Sequence, residues 1–106
     1  MDKVELLIRV LLDKNARIDE RDDAAMDLGK YDDDRALNAL ISIVLNPNED
    51  SFIMDVCGES IGEIWVKRNF FDFDLYKKMH KSAQNELINH IKSRNPEIIR
   101  GYNISK

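Results

Sequence analysis

Asp55, Glu59 and Glu63 stand four residues apart, which on a helix lines three carboxylates along one face. Like charges at that spacing repel by about 0.2–0.5 kcal/mol per pair. The row therefore reads either as a solvated face or as a stripe that a basic partner would relieve. A hard metal needs oxygens converging from a loop, and a straight helical row diverges, so no metal site is expected there. The run Asp32-Asp33-Asp34 lacks the alternating ligands and central glycine of a calcium loop; capping the next helix suits it better. His80 and His90 have no cysteine or second histidine at ligand spacing and read as surface residues. Cys57 takes the place of a small residue on an apolar stripe with no nearby base, so it reads as a packing thiol.

Trp65, Phe70, Phe71 and Phe73 gather beside Asp72 and Asp74. They read as core filling or as an exposed anchor for a partner, since aromatic residues carry interface energy. Lys77, Lys78, Lys81 and Lys92 form a basic face in which Tyr76 is the one interleaved aromatic. There is no glycine-rich phosphate loop, nucleophile elbow or zinc spacing. No catalytic residues, enzyme activity or cofactor are expected.

The charge is polarised. Residues 1–65 hold 16 acids and 7 bases, a balance of −9, while residues 66–106 hold 4 acids and 9 bases, a balance of +5; together these give −4. Such a field steers association, so the acidic half suits a basic protein and argues against nucleic acid as its ligand. The alternative from another class is a small helical nucleic-acid-binding protein using the basic C-terminal half.

Elements that would position these residues follow from apolar spacing. Val4, Leu7, Ile8, Leu11 and Leu12 fit one face of a helix from Asp2 to Asp13. Asp19 is the expected cap of a second helix carrying Ala24, Ala25 and Leu28, with Gly29 as its stop. Asp32 or Asp33 caps a third, whose stripe is Ala36, Leu37, Leu40, Ile41, Val44 and Leu45; Asn46-Pro47-Asn48 breaks it. Asp50 or Ser51 opens a fourth, running to about Val66, with Lys67 to Phe73 as loop. Asp74 caps a fifth with Leu75, Met79, Ala83, Leu87, Ile88 and Ile91, and Pro96 begins a short last helix. Gly101 to Lys106 is expected to fray. No segment alternates as a strand would, so the chain reads as all-α, with short connections between antiparallel neighbours.

One pattern recurs. Arg21, Ala24, Ala25, Leu28 and Gly29 are matched by Met54, Cys57, Gly58, Ile61 and Gly62 after an offset of 33. Repetition at this period is the mark of a helical solenoid. The stretches Glu20–Gly29 and Tyr31–Leu40 together resemble one HEAT-like repeat: paired alanines, a leucine-glycine end, then an aspartate opening the partner helix. The second copy, Asp55–Trp65, departs from the pattern at Cys57 and Gly58, and the likeness covers roughly Ile18 to Lys81. It implies a short α-solenoid of HEAT-like antiparallel helix pairs over a single domain, residues 1–106. The small size and the Glu59-Ser60-x-x-Glu63-Ile64-Trp65 ending are similar to short HEAT-like bacterial immunity proteins. That resemblance implies a non-enzymatic cytoplasmic inhibitor of a basic toxin domain, of the nuclease type, as in contact-dependent growth inhibition. Asp55, Glu59, Glu63, Trp65, Phe70, Asp72 and Asp74 are the candidate partner-binding residues.

A chain of 106 residues with 43% hydrophobic content fits one folded domain. No apolar run reaches the roughly 18 residues a membrane span needs. Acids at Asp2 and Glu5 stand where a signal peptide needs bases, and the single Cys57 can form no internal disulfide, which together suggest a reducing cytoplasm.

Overall fold

The computed structural model describes residues 1–104. Among them the chain is all helical: α1 (Lys3–Leu12), α2 (Ile18–Leu28), α3 (Asp34–Val44), α4 (Ser51–Arg68), α5 (Phe73–Lys78) and α6 (Lys81–Arg94), then a 3-10 helix at Pro96–Ile99. No described helix is long and apolar enough to cross a membrane.

The starts of these helices follow their caps. Asp2 and Glu5 form a capping box on α1, Asp33 accepts from Arg35 N at 2.7 Å, and Asp50 accepts from Phe52 N at 2.8 Å. Two expected caps move. Helix α2 begins one residue before Asp19, at Ile18, with Arg17 as a cap that makes no side-chain hydrogen bond, and the Asp19 carboxylate pairs instead with Arg17 at 2.8 Å. Helix α5 begins before Asp74, and Asp72 caps it by accepting from Leu75 N at 3.0 Å.

The expected fifth helix is two helices. Met79 takes an extended conformation, and His80 caps α6 by accepting Ser82 N on Nδ1 at 3.2 Å. The break is anchored by His80 N donating to Val44 O at 3.0 Å and by Gln84 Nε2 donating to Tyr76 O at 2.9 Å. Leu75, Met79, Ala83 and Leu87 keep a four-residue spacing across the break, so periodicity alone is blind to it.

Helix α4 is the hub. It packs on α2 and α3 and, most extensively, on α6; α1 closes the far side against α2 and α3, whereas α2 and α3 touch little. Both its seams depend on small residues. A Cβ at Gly58 would clash with the backbone of Ala83, lying 2.8 Å from its Cα, and one at Gly62 would reach Leu87 O at 3.2 Å. On the other seam Ser60 Oγ donates to Ala25 O at 2.8 Å, and both residues are buried.

The two glycines that match in the repeated pattern behave differently. Gly29 does end α2, but in a right-handed conformation; a Cβ there would sit 2.8 Å from the Cβ of Ser60. Close approach, not a left-handed turn, is what requires glycine. Gly62 ends nothing, since α4 runs on to Arg68.

One apolar core runs from Val4 and Leu11 of α1 to Ile91 of α6, with Trp65 fully enclosed in it. The radius of gyration, 13.0 Å, is that of a compact domain of this length.

A buried ion pair pins the α3–α4 turn to this core. Arg21 of α2 donates Nε to Leu11 O at 2.8 Å and pairs through Nη2 with Glu49 at 3.0 Å, each side chain being no more than 5% exposed. Burial alone would raise the Glu49 carboxyl, but the Arg21 hydrogen bond, the Asp50 amide and the charges of Arg21 and Lys14 outweigh it, so Glu49 lies below the ordinary glutamate value. The Asp32–Asp34 run is likewise structural: Asp33 caps α3, while Asp32 and Asp34 both hold Arg68 at the end of α4. Arg35 holds the Asp33 carboxyl down at about 2, assisted by the Arg35 amide.

Past the last helix, where fraying is expected, two side chains fold back onto the molecule. Tyr102 packs on Phe71 and Phe73, with ring centroids 5.1 and 5.3 Å apart, and Ile104 is half-buried. Ser105 and Lys106 lie outside the described residues.

Candidate protein-binding surface

The end of α4 decides how the aromatic residues are displayed. Asn69 takes the left-handed conformation, φ 53°, which asparagine tolerates better than most residues. Its amide donates to Val66 O at 3.1 Å, and the next amide, of Phe70, donates to Trp65 O at 3.0 Å. This is the Schellman arrangement, and it brings the residue after the left-handed one back over the helix's last turn. Phe70 accordingly meets Trp65 edge-on, with centroids 5.4 Å apart. One side of the Phe70 ring is held by this contact, and 46% of the residue remains exposed.

The chain then places Phe71 edge-on against Trp65 and close to Tyr76, while Asp72 starts α5. Phe70, Phe71, Asp72, Phe73, Asp74 and Tyr102 together line a shallow depression of about 430 Å³. Asp72 is half-buried and committed to its cap, whereas the Asp74 side chain is 87% exposed, with Lys77 the nearest cation at 4.0 Å. Lys77 also sits 4.9 Å above the Phe73 ring. The basic face predicted from the lysines is thus partly drawn into this cluster.

Of the candidate residues, Phe70, Asp72 and Asp74 come together here. Trp65 does not share in that surface: it is 0% exposed, and it supports Phe70 and Phe71 from below. Tyr102 completes the depression, and it escapes the sequence analysis because the few residues after Gly101 are too short to carry a periodic signal.

The carboxylate row is not the uniform exposed stripe that the spacing suggests. Asp55 is half-buried, and its Oδ1 is enclosed without a hydrogen-bond partner among the described residues. Glu59 is exposed and lines a groove with Glu86, Asn89, His90, Ser93 and Arg94 of α6. Glu63 is half-buried, 2.9 Å from where a Gly29 Cβ would stand, and shares a second groove with Lys67, His90 and Arg94. Glu59 is thus exposed and Glu63 partly so. The acidic row runs beside cations of its own chain, because α6 brings the basic half of the sequence against it.

Cys57 is buried, and burial pushes its thiol far up, with the nearby Glu49 charge adding to the effect. This is a packing thiol, not an activated one. Among the described residues no three His, Cys, Asp or Glu side chains gather as metal ligands would. No known protein family, curated protein or solved structure matches this chain.

Proposed function

We propose that this chain is a protein-binding module, a short HEAT-like solenoid that engages a basic partner through the aromatic and acidic end of α4 and α5. Its most concrete form is a cytoplasmic immunity protein that covers the basic cleft of a toxin domain, probing that cleft with Phe70 and facing its cations with Asp74. The observation that supports this reading is the Schellman end of α4, which seats a half-exposed phenylalanine on Trp65 beside a solvated carboxylate. An aromatic side chain has only two rotatable bonds and loses little entropy on binding, and a neighbouring acid gives it preference for a cationic surface. The small-residue pairs that seat α4 against α2 and α6 support the solenoid part of the proposal.

The test is a Phe70→Ala/Asp74→Lys variant, measured by calorimetry against a basic toxin domain encoded beside this chain and by protection in a growth assay. Loss of a central aromatic anchor costs about 2–4 kcal/mol, so affinity should fall at least thirtyfold with the helical spectrum unchanged. A folded variant that binds and protects like the parent removes this surface. Tight binding of DNA or RNA by the parent chain would favour the nucleic-acid reading instead.

A further inference from the structure

A second surface lies between α1 and α2. Leu7, Val10 and Ala24 line a groove of about 330 Å³ whose other lining residues are Glu20, Asp23 and Asp27. Leu7 and Val10 are only half-buried, and Leu6, one turn before Val10, is 50% exposed and continues the apolar strip. The three acids stand at i, i+3 and i+7 along α2 and so mark one edge, about 10 Å long at ~1.5 Å per residue. Asp27 has Lys30 at 3.5 Å, but Glu20 and Asp23 pair with no described cation.

We propose that this groove docks a basic amphipathic helix of a partner protein. Two helices side by side form a channel that accepts a third helix, whose apolar stripe meets the floor at i, i+3 and i+4. The rim selects the occupant's charge. An uncharged apolar segment would strip water from Glu20 and Asp23 without replacing it, and an acidic segment or an anionic surface would be repelled. Lysines or arginines at i, i+3 and i+7 match the rim residue for residue, and they relieve the like-charge repulsion along α2. The surface is built from other elements than the α4–α5 depression, so either can fail alone.

The test uses an 18-residue helical peptide with a leucine stripe flanked by lysines, titrated into isotope-labelled protein. Amide shifts should concentrate at Leu7, Val10, Ala24 and Asp23. Binding should weaken at least tenfold in Glu20→Lys/Asp23→Lys, and by less in the shape-preserving Glu20→Gln/Asp23→Asn, with folding checked by circular dichroism. Phe70→Ala should bind the peptide like the parent, separating this groove from the surface proposed above. The proposal is overturned if the parent does not bind the peptide, if the shifts map elsewhere, or if the charge-reversed protein binds equally well. Sedimentation showing that the parent dimerises through this groove, and that the reversal abolishes the dimer, would assign the groove to a second copy and likewise overturn it.

Discussion

The two copies of the repeated pattern use the same spacing for different ends. In the first, Arg21 is buried, only 4% exposed, and answers Glu49, Ala25 lies against Ser60, and Gly29 closes the helix. In the second, the residue matching Arg21 is Met54, 1% exposed and apolar; Gly58 replaces Ala25 and touches α6 backbone; and Gly62 stands mid-helix. What the spacing encodes is where a neighbour comes close. Whether the helix stops, and whether the first position is an ion pair or apolar filling, is settled by what packs around it. Helix α4 is flanked on both sides and continues, whereas α2 has a neighbouring turn to make.

The sharpest way to break the comparison is to give the first copy the second copy's residue. Arg21→Met leaves Glu49 buried without its cation, and breaking a buried pair costs about 3–5 kcal/mol. Urea denaturation should show that loss, and Arg21→Met/Glu49→Met should recover most of it, because a well-packed apolar pair can replace a buried ion pair. The sign of the pH effect follows from Glu49. Its carboxyl is held below the ordinary value of 4.5, so its contribution is complete above that pH and disappears as acid titrates through the lower folded value. Thermal melts from pH 6 to 2 should fall less steeply in Glu49→Gln, which has no carboxyl to protonate. A double variant as damaged as Arg21→Met would mean that the first copy needs the charge itself.

Gly58→Ala tests the second copy. Overpacking costs about 1–3 kcal/mol, and here the obstruction is the Ala83 backbone, which has no rotamer to yield. That places the cost at the upper end, about 3 kcal/mol, and helix propensity returns about 1 kcal/mol for replacing glycine, so a net loss of about 2 kcal/mol is expected in chemical denaturation. A neutral result would show that α4 and α6 are farther apart than described.

Ala25 is the matching position in the first copy. It is 0% exposed, with Ser60 bonded to its carbonyl, so Ala25→Leu should cost about 1–3 kcal/mol by denaturation. Unchanged stability would place Ala25 outside the α2–α4 seam.

How far these features could be read from sequence depends on whether their cause is local. The all-helical class, the Asp33 and Asp50 caps and the burial of Ala25 and Cys57 follow from periodicity and side-chain chemistry within a few residues. Arg21 stood in the repeated pattern, but its partner Glu49 is 28 residues away in a turn, and no spacing rule joins them. The break at Met79 hid behind an unbroken stripe, and Tyr102 reached the aromatic depression only through tertiary folding. The same holds for the acidic row. Asp55, Glu59 and Glu63 do share a face, yet the approach of α6 and α2 gives each a different exposure.

The smallest expected effect draws the finest line between the copies. Gly62 aligns with Gly29, but a Cβ there would meet Leu87 O at 3.2 Å and His90 Cβ at 3.3 Å, tight without being obstructed. At Gly29 the corresponding contacts with Ser60 are 2.8 Å, and Ser60 is itself fixed by its bond to Ala25 O. In Gly62→Ala the gain of about 1 kcal/mol in helix propensity opposes a shift of α6 by a few tenths of an ångström. The two should nearly cancel, leaving stability within about 1 kcal/mol of the parent. Gly29→Ala has no comparable return, since it lies at the helix end where propensity counts for less, and it should be the more damaging of the pair. The measurement is the difference in urea midpoint at constant slope. If Gly62→Ala proves as harmful as Gly58→Ala, the α4–α6 seam is closed along its whole length, and the second glycine of the pattern is as strictly required in the second copy as in the first.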